Sequence, residues 1–194
     1  MKRVQNIRLF MVMSLVYYAG NAVAMDADTA GQALSNAARL SNLEDVQALI
    51  AVGANVNWRP NNNQKTPLIM AADKGYLEIV QALIAAGADV NEINNHGDTA
   101  FIIAARRGSL NILQALITAG ADVNAINNFG DSAFVTSLLL GDLSVLQVVI
   151  NADTFDRDQL KPIIDDLIAQ EHKTAEDQLI LEALQGRSFG IGLK

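Results

Sequence analysis

An all-α solenoid, built from stacked helix-turn-helix units with hairpin-like loops and closed by C-terminal helices, is the fold class this sequence predicts. Three observations predict it. Thr66, Thr99 and Ser132 recur at one fixed interval, and Gly75, Gly108 and Gly141 recur at the same one. Gly87-Ala88-Asp89-Val90-Asn91 returns one interval on as Gly120-Ala121-Asp122-Val123-Asn124, and Gly53-Ala54-Asn55-Val56-Asn57 foreshadows it at a slightly longer spacing. Between these markers the apolar residues keep helical spacing. Self-similarity at such a period means supersecondary units that bury their apolar faces on one another.

Within one unit each segment has a physical role. The Thr66 hydroxyl is placed to cap the first helical amides, and Pro67 falls at the first helical position, where its missing N–H leaves nothing unsatisfied. A short helix follows and Gly75 ends it. In the second helix Leu77, Ile79, Val80, Leu83 and Ile84 form one apolar stripe, while Glu78 and Gln81 point away. Gly87 terminates that helix, since glycine enters the left-handed region without strain. The Asn-, Asp- and Gly-rich stretch from Ala88 to Asp98 then turns rather than continuing as helix.

These residues resemble the ankyrin repeat. Thr66-Pro67-Leu68, Ala71-Ala72, Gly75, Leu77-Glu78-Ile79-Val80 and Gly87-Ala88-Asp89-Val90-Asn91 carry the resemblance, which covers roughly residues 30 to 153. Departures fall at named positions. The family's His after Thr-Pro-Leu is Ile69, Ile102 and Val135 here, which substitutes apolar packing for hydrogen bonds between repeats. Its Pro is Ala100 and Ala133 in the later units.

Along the chain, residues 1–24 read as a cleaved secretory signal peptide. Lys2, Arg3 and Arg8 precede an apolar run from Leu9 to Ala19 and the small-x-small site Ala22-Val23-Ala24. An uncleaved membrane anchor is the alternative, and the apolar run is short for it. Cleavage after Ala24 removes three basic and no acidic residues, taking the formal charge from −7 to −10. Such acidity repels phosphate backbones and anionic membranes, so neither nucleic acid nor, after cleavage, a membrane is an expected partner. The chain has no cysteine, which excludes disulfides and thiolate metal sites. A bacterial periplasmic location is expected.

About four repeats are expected over 25–153. The first is a capping form whose Arg39, Ser41 and Asn42 give the polar outer face that a terminal repeat needs. The loop between Asn57 and Thr66 carries one extra residue and the single tryptophan, Trp58. That ring is either an exposed anchor for a partner or packing on a neighbouring loop.

In the ankyrin family the loop tips and the exposed face of the first helix form a concave protein-binding surface. Carried over by position, that surface comprises Asp73 and Lys74, Arg106 and Arg107, and Leu139 and Leu140 on the helices. In the loops it comprises Asn62, Asn63 and Lys65, then Asn95, His96 and Asp98, then Asn128, Phe129 and Asp131. Arg106 and Arg107 reverse the local charge, and either await a carboxylate of a partner or pair with Asp98 and Asp131. Leu138-Leu139-Leu140 stands where earlier units carry Ala-Asp-Lys and Ala-Arg-Arg. An apolar patch there requires cover, from a partner or from the chain's own C-terminal segment.

Beyond Asp153 the repeat pattern lapses. Leu160, Ile163, Ile164, Leu167 and Ile168 keep helical offsets, with Pro162 restricting the helix start to about Lys161. Thr174-Ala175-Glu176-Asp177 resembles a second start, ahead of Leu179, Ile180, Ala183 and Leu184. Two capping helices are expected over 154–185, followed by a mobile tail over 186–194.

Catalytic chemistry finds little support. His96 and His172 lie apart with no ligand spacing around them, Asp165-Asp166 do not face one point, and no phosphate-cradling loop or nucleophile elbow occurs. No enzyme activity, cofactor or metal is expected. The resemblance implies a monomeric protein-binding module, supporting a periplasmic enzyme or stress-protection complex as do the partners of catalase-type enzymes. An immunity protein against a periplasm-targeted toxin is the alternative.

Overall fold

The computed structural model describes residues 27–60 and 64–161 together with Asp165, Ile180, Leu181 and Leu184. Among these residues stand eight α-helices and one 3-10 turn, with isolated bridge residues, such as the pair Ile126 and Ser132, in place of any strand. This is the all-α repeat-solenoid class that the fixed-interval recurrence predicts. The expected signal peptide, Asn62 and Asn63, Pro162, His172 and the tail over 186–194 lie outside the described residues.

The chain divides into two compact units, the first ending at Asn95. It holds α1 (Ala27–Arg39), α2 (Leu43–Ala51), α3 (Pro67–Lys74) and α4 (Leu77–Ala85). Here α1 packs on α2 and α3 on α4 as hairpins, while α1 also packs on α3 and α2 on α4. The second unit repeats that scheme with α5 (Ala100–Arg106), α6 (Leu110–Thr118), α7 (Ala133–Leu140) and α8 (Leu143–Ile150).

Local chemistry sets the helix ends. Thr66 accepts from the Ile69 amide, Thr99 from Ile102 and Ser132 from Val135, each at 3.2 Å. Gly75 closes α3 with φ +78° and Gly141 closes α7 with φ +65°, a backbone that side chains disfavour. In α4 the buried stripe is Ile79, Val80 and Leu83, with Leu77 and Ile84 half-buried at its edges. The equivalent Ile112, Leu113 and Leu116 are buried in α6. Full burial of one such leucine stabilises by roughly 1.5–3 kcal/mol. Ile69 and Ile102, standing at the family's histidine position, are wholly buried, so that position is apolar core in α3 and α5.

Successive loops are joined by asparagine. Asn57 Oδ1 accepts from the Asp89 amide at 2.9 Å, and Asn124 Oδ1 accepts from the Asp156 amide at 2.8 Å while its Nδ2 donates to the Thr154 carbonyl at 2.7 Å. Asp156 also accepts from the Asp158 amide, as Asp89 does from Asn91 and Asp122 from Asn124. The repeat's loop architecture therefore continues past Asp153, where the sequence pattern lapses. Phe155 is buried with its ring 5.3 Å from that of Phe134 in α7. A 3-10 turn over Arg157–Gln159 leads to helical Leu160 and Lys161. Leu160, Leu181 and Leu184 are buried, Ile180 is half-buried and Asp165 is exposed, while most of the two expected capping helices lies outside the described residues.

Candidate protein-binding surface

In the first unit the tryptophan is a packing residue along one edge. Trp58 is half-buried, and a Cβ added to Gly31 of α1 would overlap its Cβ and Cγ, so the missing side chain at Gly31 admits the ring. Arg59 pairs with Glu92 in the following loop. Lys65 Nζ lies 3.1 Å from Asp73 Oδ2, while Lys74 and Asn95 are exposed.

In the second unit the loop before α5 centres on Asp98. Expected at an accessible loop tip, this carboxylate is instead 4% exposed. Hydrogen bonds from Arg106 and Asn127 help to hold it there. Arg106 places Nη2 2.9 Å from Oδ1 and Nη1 3.3 Å from Oδ2, and Asn127 Nδ2 donates to Oδ1 at 2.8 Å. A buried carboxylate needs such compensation, and a two-pronged guanidinium supplies much of it. Helical side chains lean toward the N-terminus, which brings Arg106 at the end of α5 back over the loop before its first turn. Of the two arginines, Arg106 thus takes the pairing alternative, and Asp98 is its partner. Arg107 is exposed beside it.

Asn127 is the residue that sequence reasoning missed. Buried itself, it accepts at Oδ1 from the amides of Phe129 and Asp131, both at 2.9 Å, and so shapes the next loop while its amide nitrogen braces Asp98. Its signal was the Asn-Asn doublet, Asn94-Asn95 recurring as Asn127-Asn128. The Asn128 amide donates to the His96 carbonyl at 3.0 Å, and Gly97, with φ +76°, has no room for a side chain beneath Asn128. The braced loop presents Phe129, 72% exposed, with the His96 ring 5.9 Å away and tilted by 31°. An aromatic side chain held out by a buried polar network is suited to insertion into a partner's apolar pocket.

Leu139 and Leu140, at the end of α7, are 76% and 58% exposed, and Asp131 ahead of that helix is half-buried. A groove of about 390 Å³ between α6 and α8 is lined by Gln114, Ile117, Ser144, Gln147, Val148 and Asp153 among others. It brings no histidine to its carboxylate. Among the described residues no three His, Asp or Glu side chains gather as metal ligands. The candidate positions thus offer aromatic, leucine and carboxylate contacts in the second unit, and a lysine, a polar loop residue and a partly packed tryptophan in the first.

A family model described as ankyrin repeats, three copies, matches residues 4–94, 34–127 and 84–159. No curated protein matches the chain.

Proposed function

The chain belongs to the ankyrin-repeat family, a protein–protein interaction fold, and from that premise we propose that it serves the bacterial periplasm as a non-catalytic support for an enzyme or stress-protection complex. The observation that carries the reading is Phe129. A phenylalanine exposed at a loop tip that its own network rigidifies has little folding role and a large contact area to offer. The charged start and apolar run of residues 1–24 support export. The use of Asp98 and Arg106 as internal supports favours binding over catalysis. Neutralisation of a basic toxin is the second reading, favoured by the mature charge of −10 that removal of Lys2, Arg3 and Arg8 leaves.

Capture of partners from periplasmic extract by tagged Met25–Lys194, with a Phe129→Ala/Leu139→Ala double variant as control, tests this. A protein retained by the parent and lost by the variant identifies partner and surface together. Capture that is indifferent to both substitutions would reject this surface. A partner obtained only from cells challenged with a toxin would favour the second reading over the first.

A further inference from the structure

One loop-to-helix ion pair recurs through the repeats with its sign reversed, and then lacks a member. In the first unit Lys65, immediately ahead of the capping Thr66, reaches Asp73 in the last turn of α3 at 3.1 Å. One repeat on, the same two positions hold Asp98 and Arg106, joined at 2.9 Å. In the repeat after that they hold Asp131, directly ahead of the capping Ser132, and Leu139, in the last turn of α7. The register and the flanking cap are unchanged, but the base is gone. The Asp131 backbone amide is engaged by Asn127. Its carboxylate has no ion pair among the described residues, and the leucine replacing its cation is 76% exposed with Leu140 beside it at 58%.

Resting on the protein-binding reading, we infer that Asp131, Leu139 and Leu140 dock a partner protein through a segment that carries an arginine next to apolar side chains. The arginine occupies, relative to Asp131, the place that Arg106 occupies relative to Asp98. Charge complementarity selects this occupant. A half-buried carboxylate is partly withdrawn from water, which strengthens its attraction for a cation. At the equivalent position one repeat earlier, the Arg106 guanidinium meets both carboxylate oxygens of Asp98, which is the geometry inferred for Asp131. An apolar patch left beside it then covers the partner's neighbouring aliphatic side chains, and the acidic chain as a whole steers a basic segment inward.

The test uses protein produced from the full 194-residue chain as bait for a phage-displayed library of random dodecapeptides, followed by anisotropy titration of the enriched peptides. Enriched peptides are expected to share an arginine flanked by Leu, Ile or Phe. Asp131→Asn should weaken their binding about tenfold, and raised salt should weaken the parent but not that variant. Leu139→Arg, which restores the missing pair within the chain, should abolish binding while melting at the parent temperature or above it. Leu139→Ala guards against misfolding and should give an intermediate loss. Enriched peptides that lack basic residues, or that bind Asp131→Asn and Leu139→Arg as they bind the parent, overturn this site and leave the protein-binding reading standing. Failure to enrich any peptide overturns both. Two further results would also overturn it by naming another occupant. One is self-association in sedimentation that Leu139→Arg abolishes, and the other is peptide binding that appears only after residues 186–194 are removed.

Discussion

Asp98 depends on two neighbours, Arg106 and Asn127, for all three of the side-chain hydrogen bonds described above, and on burial for their strength. Asp98→Ala leaves Asn127 Nδ2 without that acceptor in a buried position. A loss of about 1–3 kcal/mol is expected in thermal or urea unfolding. Arg106→Ala, with its side chain 44% exposed, removes a cation from a carboxylate that stays buried, so the same melt should move in the same direction. Melting unchanged in both variants would mean that the network does not hold the loop. At Gly31 the relation is steric. Gly31→Ala forces the Trp58 ring outward from α1, at about 1–3 kcal/mol for an overpacked contact. Because Trp58 is the only tryptophan, its emission should shift to longer wavelength in the folded variant. An unshifted spectrum would place the ring elsewhere.

At the scale of the element, most of the helix plan was legible, because caps and period are written in residue types. Thr66, Thr99 and Ser132 mark helix starts, glycine marks ends, and the buried faces fall at the expected offsets. Leu83→Ala and Leu116→Ala, both fully buried, should each destabilise by roughly 2–5 kcal/mol in chemical denaturation. Equal stability in the two variants and the parent would contradict the assignment of the helix faces. The surface was less legible for a physical reason. Whether Asp98 faces solvent or the interior depends on Arg106 at the far end of the next helix and on Asn127 in the next loop, and neither relation follows from helical periodicity. Trp58 was ambiguous in the same way, since the space it fills is an absent side chain in another helix. The exposed Leu139 and Leu140 were readable as an anomaly from the repeat alone, because the equivalent positions carry Asp73-Lys74 and Arg106-Arg107.

For the whole molecule the ends of the chain carry separate predictions. If residues 1–24 direct export, mass spectrometry of the protein recovered from an osmotic-shock fraction should give a chain beginning at Met25. Recovery of the intact chain from the membrane pellet would favour an anchor instead. At the other end, the repeat's hydrogen-bond scheme outlasts its sequence. Asn57 and Asn124 hold the loop that follows through its backbone, the amides of Asp89 and Asp156 and the carbonyl of Thr154, and through no side chain of the segment they receive. A joint of that kind is blind to the identity of what it joins. Duplication or deletion of a whole repeat can leave every such joint satisfied, whereas a shorter insertion within a helix cannot. A change in the number of repeats, or a last unit of unrelated sequence such as Asp153-Thr154-Phe155, therefore leaves the joint itself unaltered. The arrangement leaves evolution free to vary length and surface while the joint stays constant.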